Sequence, residues 1–395
     1  MALKIKMNEN FKSFKDNYLF VECANRIKEF EKTHQNSKII KLSIGDVTRP
    51  LPKVAIDALH AAVDEQASQD TFKGYAPEAG YDFARQAVSD YYKRRSIDIS
   101  KNEIFISDGA KSDCGNVLDL LGNNQIYVPD PVYPVYVDSN TMKGNKISYL
   151  SGSIENDFAP LPNDNIKEGS IIYICSPNNP TGSVYTKEKL KTWVDFANEK
   201  GCLIIFDSAY EAFVGKGLPR SIFEIEGARN CAIEICSLSK TAGFTGTRFG
   251  WMILPFELEA CDMNLNKTWA RRQSTRFNGV PYIVQRSASA ALSEDGMHTC
   301  MENIAYYKEN AKILGDFLQK KGYKFTGGVN SPYIWMQTKD SMPSWDFFDL
   351  LLNEAQIAGT PGVGFGKQGE GFFRITSFGK REDYIEAISR LERVL

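Results

Sequence analysis

Three polar side chains follow short apolar runs and could together carry covalent and acid–base chemistry. Lys240, Asp207 and Asn179 each stand at or shortly after the end of such a run. An amine can bond to a carbonyl carbon or move a proton, and a carboxylate can hold a neighbouring cation. In open α/β sheets, ligands bind outside the carboxyl ends of the strands. We therefore expect these three side chains to converge on one site.

Pyridoxal phosphate is the cofactor whose requirements match this set. It needs a lysine for covalent attachment, an acid to keep its pyridine nitrogen protonated and donors for its phenolic oxygen. Lys240 would carry it as a Schiff base, and Asp207 would face the nitrogen. Asn179 and Tyr210 would donate to the phenolic oxygen, and Lys240, Asp207 and Tyr210 are the predicted catalytic residues. Taken singly, each has a plainer interpretation: a solvated loop lysine, a turn-capping carboxylate, a turn asparagine or a buried core tyrosine.

Donors for a phosphate group occur in two segments of the sequence. Ser237, Ser239 and Arg248 offer two hydroxyls and a fork-shaped cation. Ala110 and Lys111 open a helical stretch directly after a strand pattern, so their backbone N–H groups could receive the same phosphate. All five are therefore predicted to bind the cofactor.

Two further residues could complete such a pocket. Tyr133 stands between prolines and could stack on the cofactor ring, although a lone tyrosine is more often part of a core. Arg374 lies in the strand pattern 372–375, where an inward arginine needs an anion that a substrate carboxylate would supply. The alternative is an exposed arginine paired with a surface carboxylate. The G-x-G-x-x-G sequence at 364–369 leads into this strand rather than a helix, so we do not interpret it as a dinucleotide site.

The elements that would position these residues follow an alternating pattern. From about residue 100 to 255, short apolar runs alternate with helical patterns, which predicts βαβ units and a mostly parallel sheet. In one unit, Thr186 caps a helix that Gly201 ends. The strands predicted around this unit are 171–174, 202–206 and 232–236.

The predicted fold class is α/β, with a mostly parallel sheet in a large domain and a smaller α+β domain. The large domain is predicted over 49–284, and the small one over 1–48 and 285–395. After 285 the pattern changes to long amphipathic helices and short strands. In the last of these helices the apolar face is predicted to contain Tyr384, Ile385, Ile388, Leu391 and Leu395.

Composition excludes several classes of protein. The 395 residues carry 47 basic and 49 acidic side chains, too balanced for a nucleic-acid binder that neutralises many phosphates. Eight cysteines without a C-x-x-C pair are typical of buried thiols in a reducing compartment, and three scattered histidines predict no metal site. Neither a membrane span nor a secretory segment is recognisable, so a cytoplasmic protein is expected.

The order of these motifs resembles fold type I, class I/II aminotransferases. The residues that carry the resemblance are Pro-Asn-Asn-Pro-Thr-Gly at 177–182, Asp207-x-x-Tyr210 and Ser237-x-Ser239-Lys240 with Arg248. Within that superfamily, further segments resemble the LL-diaminopimelate aminotransferases: 45–48, 72–78, 106–111, 130–136 and 277–279. That resemblance implies exchange of an amino group between LL-2,6-diaminopimelate and 2-oxoglutarate, giving tetrahydrodipicolinate, glutamate and water.

The resemblance also implies a homodimer with shared active sites, acting on amino acids and 2-oxo acids. Tyr75 would reach the cofactor phosphate from the neighbouring subunit, and Glu78 would bind the distal ammonium of the substrate. Lys73 and Ala79 depart from the family pattern, which has histidine and glutamine there, and these departures concern the substrate preference more than the reaction class. The other implied substrate ligands are Tyr18, Gly45, Lys111, Tyr133, Asn179, Asn278 and Arg374, of which Asn278 would also contact the cofactor.

The mechanism expected from these residues is ping-pong transamination, in which Lys240 moves the proton of the substrate Cα. The resemblance implies that Arg374 would hold the α-carboxylate and that Lys111 would lie near the distal one. Three alternatives remain open: an aminotransferase for aspartate, aromatic or other amino acids, a pyridoxal-phosphate lyase or racemase, and a cofactor-binding regulator.

Overall fold

The computed structural model describes residues 3–14, 19–35, 37–43 and 45–395. Tyr18, a predicted substrate ligand, lies outside these residues. The α-helices of the described part are α1 (Leu19–Thr33), α2 (Lys53–Glu65), α3 (Asp82–Lys93), α4 (Ala110–Asn116), α5 (Pro134–Lys143), α6 (Lys187–Lys200), α7 (Leu238–Thr241), α8 (Leu265–Arg276), α9 (Tyr282–Ala291), α10 (Glu294–Lys320), α11 (Ser344–Leu350) and α12 (Arg381–Leu391).

The strands of the same residues are β1 (Ile40–Lys41), β2 (Ile104–Ser107), β3 (Gln125–Asp130), β4 (Lys146–Ser151), β5 (Ile171–Cys175), β6 (Leu203–Asp207), β7 (Ala232–Ser237), β8 (Gly250–Ile253), β9 (Glu259–Ala260), β10 (Met263–Asn264), β11 (Phe325–Gly327), β12 (Tyr333–Gln337), β13 (Ile357–Ala358), β14 (Thr360–Pro361) and β15 (Phe372–Thr376).

A seven-stranded sheet forms the centre of the large part of the molecule. Its strand order is β2-β8-β7-β6-β5-β3-β4, and within this sheet β8 runs in the opposite direction to the other six strands. Every residue of β5 and β7 is buried, as expected for strands covered on both faces. The predicted mostly parallel sheet is therefore present.

The βαβ unit predicted from the sequence is confirmed in detail. The Thr186 hydroxyl accepts a hydrogen bond from the Lys189 amide at 3.3 Å, which caps α6. Gly201 ends the helix in the left-handed region at φ +59°. The helix buries one face, made of Leu190, Trp193, Val194 and Ala197, against the sheet core.

A second, antiparallel sheet has the order β11-β12-β15-β14 and lies in the C-terminal part of the chain. The N-terminal segment joins this part, since β1 pairs in parallel with β13 and Cys23, Ile27 and Phe30 of α1 pack in the same core. The boundaries at 48/49 and 284/285 stay a prediction.

The apolar face predicted for the last helix is partly wrong. In α12, Tyr384, Ala387 and Leu391 are buried, a spacing of three and four residues that follows the helical period. Ile385 is one residue out of this phase and is exposed, and Leu395 lies beyond the end of the helix.

The G-x-G-x-x-G segment is followed by β15, as predicted. Gly366 has φ +134°, and a side chain there would collide with the carboxylate of Asp130. Its glycines thus serve close packing between two parts of the chain. Among the described residues, no helix has the length and apolar character needed to cross a bilayer.

Candidate active site

The three residues expected to converge do so at the carboxyl ends of neighbouring strands. Asp207 is the last residue of β6 and pairs with Cys175 of β5 and Ile235 of β7. Lys240 lies in the short helix α7 that follows β7, and Asn179 lies in the turn after β5. All three line one cavity of about 600 Å³.

The Lys240 amine lies partly buried in this cavity and donates a hydrogen bond to the carbonyl oxygen of Gly45. The pKa of Lys240 is lowered from 10.5 to about 8, mainly by burial; the charge of Asp46 opposes this shift, and the charges of Arg248 and Arg374 add to it. A sizeable neutral fraction at neutral pH suits an amine that must attack a carbonyl or accept a proton.

The carboxylate of Asp207 is 6% exposed and is held by three donors. The Tyr136 hydroxyl donates to Oδ2 at 2.6 Å, the Ala209 amide donates to Oδ1 at 3.0 Å, and the Cys114 thiol lies 3.9 Å from Oδ2. Burial raises the pKa of Asp207, and these hydrogen bonds counteract the rise. The described residues place no lysine or arginine in an ion pair with Asp207, so a cationic pyridine nitrogen would fit here.

The predicted phosphate donors meet on another side of the same cavity. Ser237, Ser239, Arg248, Ala110 and Lys111 all line it. The Arg248 guanidinium reaches the Ser239 hydroxyl at 3.4 Å. Gly109 directly precedes α4 and has φ +130°. A Cβ at this position would collide with the Arg248 guanidinium, so glycine is needed here. Hydroxyls, amides and a guanidinium around one space form a donor set that fits a phosphate.

Arg374 is 1% exposed and has no carboxylate in ion-pair distance among the described residues. Its guanidinium donates to Asn179 Oδ1 at 2.6 Å and to the Ser43 carbonyl at 2.8 Å, while Nε has no hydrogen-bond partner within the residues that the structure describes. Because Oδ1 of Asn179 accepts this hydrogen bond from Arg374, the Nδ2 amide group is the part of the side chain that could donate to a phenolic oxygen. A buried arginine without an anion is costly, which makes this position suited to a substrate carboxylate.

Three aromatic rings surround the Arg374 guanidinium. The ring centroids of Tyr333, Phe365 and Phe20 lie 4.6, 4.8 and 5.6 Å from its central carbon. These rings limit the access of water and orient the guanidinium towards the cavity that it lines.

The two predicted tyrosines, Tyr210 and Tyr133, also line the cavity. Each contacts a tyrosine that the sequence reasoning missed. The hydroxyls of Tyr210 and Tyr333 are 2.6 Å apart, and the ring of Tyr133 meets that of Tyr136 edge-on at 5.9 Å. Tyr136 could have been found, since it follows Tyr133 by three residues at the start of a helical pattern. Tyr333 had no such signal, because it lies 123 residues from Tyr210.

Three predicted site residues lie elsewhere in the chain. Tyr75 is 88% exposed, Glu78 and Asn278 are exposed, and none of them is among the described residues that line the cavity. Gly45 and Lys111 do line it. A single chain therefore brings together most of the predicted ligands, while Tyr75, Glu78 and Asn278 stay outside its own cavity.

The sequence of this chain is similar to those of known aminotransferases. The family model "Aminotransferase class I and II" matches residues 37–391. An LL-diaminopimelate aminotransferase from Lachnospira eligens is 48% identical, covering 98% of this chain and 99% of the relative. One from Methanosphaera stadtmanae is also 48% identical, covering 99% of this chain and 100% of the relative.

A solved structure gives the same result for the fold. The L,L-diaminopimelate aminotransferase from Chlamydomonas reinhardtii superimposes with a TM-score of 0.93 at 38% identity, covering 100% of this chain and 99% of that one. The predicted fold type I architecture is thereby confirmed. The chain belongs to the class I and II aminotransferase family and, within it, to the family of LL-diaminopimelate aminotransferases.

Proposed function

We propose that this enzyme transfers an amino group from LL-2,6-diaminopimelate to 2-oxoglutarate, with tetrahydrodipicolinate, glutamate and water as products, on the route to lysine. The family uses pyridoxal phosphate, which the donor set of the cavity fits. The observation that carries the substrate class is Arg374, a buried cation that lines the cavity together with Lys240 and has no carboxylate in ion-pair distance in the described part of the chain. The relatives that are 48% identical over almost the whole chain support the particular substrate.

Each residue of the cavity then has a definite task. Pyridoxal phosphate, when bound, supplies a ring that withdraws electrons from the substrate Cα. Arg374 binds the α-carboxylate, and Lys240 accepts the Cα proton and returns it during each half-reaction. Asp207 keeps the ring nitrogen protonated by its negative charge. Asn179 and Tyr210 donate to the phenolic oxygen.

The pKa of Lys240 suits this proton transfer. A value of about 8 lies near neutral pH, where a general base is most effective. An ordinary lysine would be almost fully protonated and unable to accept a proton there.

We further propose that two subunits share each active site. Tyr75, Glu78 and Asn278 are exposed on a single chain, which suits residues that enter the cavity of a partner. In this arrangement Tyr75 donates to the cofactor phosphate and Glu78 binds the distal ammonium of diaminopimelate. Seven of the eight cysteines are buried free thiols, which supports a cytoplasmic location.

A panel of amino donors with 2-oxoglutarate as acceptor tests the substrate. LL-diaminopimelate should give the highest kcat/KM, well above aspartate and phenylalanine, and glutamate formation is the readout. No turnover of LL-diaminopimelate together with fast turnover of another donor would reject the substrate and retain an aminotransferase of different specificity.

A charge-neutral variant sharpens the same test. Glu78→Gln should reduce kcat/KM for LL-diaminopimelate by about tenfold or more, because a charge-assisted hydrogen bond is lost. Glutamate, which has no distal ammonium, should lose far less in the reverse direction. Asp70→Asn, at an exposed carboxylate of the same region, is the matched control and should change neither substrate. Equal losses on both substrates for Glu78→Gln would contradict the assigned contact.

A further inference from the structure

Tyr136 contacts two predicted cofactor ligands at once. Its hydroxyl donates to Oδ2 of Asp207 at 2.6 Å. Its ring lies edge-on to that of Tyr133, with centroids 5.9 Å apart and an interplanar angle of 87°. Tyr136 is fully buried apart from the cavity that it lines. One side chain therefore connects the partner of the ring nitrogen with the residue that would stack on the ring.

The position of Tyr136 is itself tightly determined. Its ring stacks on Tyr173 at 5.0 Å and 22°. The buried amide of Asn140 donates to the Tyr136 carbonyl at 2.8 Å and to the Tyr173 hydroxyl at 3.1 Å. Asn145 in turn donates to Asn140 Oδ1 at 2.8 Å. The phenol is thus aimed at Asp207 by packing and hydrogen bonds that lie outside the cofactor pocket.

Both oxygens of Asp207 are held, one by Tyr136 and the other by the Ala209 amide. Two donors on two oxygens fix the plane of a carboxylate and still leave it lone pairs for another donor. We propose that Tyr136 is a positioning residue for transamination, which aligns Asp207 and keeps it ionised opposite the cofactor nitrogen. This inference rests on the proposed role of Asp207.

The groups around Asp207 show why the hydroxyl of Tyr136 is important for its ionisation. Besides Tyr136, the titratable groups that interact with Asp207 are Cys114 of α4, Cys175 of β5, Tyr333 of β12 and, more distantly, Asp113 of α4. Burial raises the pKa of both thiols and of Tyr333 and raises that of Asp113 to about 8, so none of these groups supplies a positive charge. Tyr136 is the strongest influence that lowers the pKa of Asp207 against burial.

The test compares Tyr136→Phe with Tyr185→Phe. Phenylalanine keeps the ring contacts of Tyr136 and removes only the hydroxyl. Tyr185 is the matched control, since it is equally buried but donates to the Pro160 carbonyl at 3.1 Å, away from the cavity. Tyr136→Phe should lower kcat by about tenfold or more, the scale of a hydrogen bond to a charged group, with KM for the donor changed by less than about twofold.

Two further readouts separate positioning from mere packing. The pH titration of the visible absorbance of bound pyridoxal phosphate should shift in Tyr136→Phe, because Asp207 becomes easier to protonate, and should be unchanged in Tyr185→Phe. In an Asp207→Asn background, where no carboxylate charge remains, Tyr136→Phe should have little further effect on kcat. Thermal unfolding of each holoenzyme establishes that the variants are folded.

The outcomes are distinct. An unchanged titration with unchanged kcat, or the same fractional loss in both backgrounds, would overturn the role of Tyr136. If the parent enzyme fails to transaminate any donor, the proposed function fails, and the absorbance titration still decides whether Tyr136 acts on Asp207.

Discussion

Two regions of this molecule carry predicted site residues and differ in what holds them. Around Asp207 and Arg374, each side chain has hydrogen-bond partners from distant parts of the same chain, and both residues are buried. In the loop 72–79, Phe72 and Tyr75 are largely exposed, and a Cβ added at Gly74 would meet no atom within 4 Å. One chain therefore completes the buried region and leaves the loop tip without its own packing.

The loop is nevertheless well anchored at its base. Gly80 packs against Ile106, and Gly279 packs against Ala76 so closely that a Cβ at either glycine would collide. The Lys73 amide donates to Gln66 Oε1 at 2.8 Å. An ordered base with exposed aromatic and acidic side chains at the tip is the expected form of a segment that acts on another molecule. The residues of the buried region are held within their own chain, whereas the exposed loop residues would act on a partner under the proposed shared site.

The largest effect is expected at the centre of the buried region. Lys240→Ala should remove the covalently attached cofactor and reduce turnover by at least about 10³-fold, because nucleophile and proton carrier are lost together. Visible absorbance and mass spectrometry of the purified protein measure the attachment. Lys41→Ala, which removes a cavity-lining lysine paired with Glu31 at 3.1 Å, is the control and should retain the attached cofactor. Normal transamination by Lys240→Ala would exclude the assigned role.

A smaller loss is expected when the charge of Asp207 is removed. Asp207→Asn keeps the shape of the side chain but loses a charge-assisted contact worth about 1.5–3 kcal/mol, which corresponds to about a 10- to 150-fold slower proton removal. Single-turnover kinetics with bound cofactor measure this step. An unchanged rate would show that Asp207 only shapes the end of β6.

The smallest effect concerns pH. The neutral amine is the form that bonds to the cofactor, and burial lowers the pKa of Lys240 to about 8. The rate at which cofactor-free protein captures pyridoxal phosphate should therefore rise up to about pH 8 and then level off. Asp46 raises this pKa, so Asp46→Asn should move the plateau to lower pH. A rate that keeps rising towards pH 10.5 would indicate an ordinary, solvated lysine.

Local patterns in the sequence were sufficient to predict the elements of the buried region. The helix capped by Thr186, its end at Gly201 and the strand leading to Asp207 follow from rules that act over a few residues. The inward position of Arg374 was predicted as one of two alternatives. The exposed Ile385 was misassigned because one residue of phase in a helix rotates a side chain by about 100°.

The contacts that complete the site could not be predicted in this way. Ser43 accepts from Arg374 across 331 residues, and the hydroxyl of Tyr136 reaches Asp207 across 71. Such pairs depend on which strands become neighbours in the sheets, and the spacing of residues along a short segment of sequence does not predict this. The roles of Tyr75, Glu78 and Asn278 came from the family resemblance alone. Residues that would enter the cavity of a partner subunit have no periodic pattern by which they could be recognised in the sequence.

In the proposed shared site, the buried and exposed regions of one active site belong to different subunits. Subunit complementation tests it with two inactive variants, Lys240→Ala and the double variant Tyr75→Phe/Glu78→Ala. A mixed dimer then contains one site with both an intact Lys240 and an intact partner loop. Mixing Lys240→Ala with wild-type protein is the control, since the Lys240→Ala subunit has an intact loop and the activity of this mixture should not change on exchange.

After random exchange, about half of the dimers are mixed and each has one complete site of two, given the two-fold symmetry of such assemblies. The measurement is the transamination rate of the exchanged mixture. We expect recovery to about one quarter of wild-type activity. If exchange is demonstrated by native mass spectrometry and no activity returns, the loop acts within its own subunit and the shared site is contradicted.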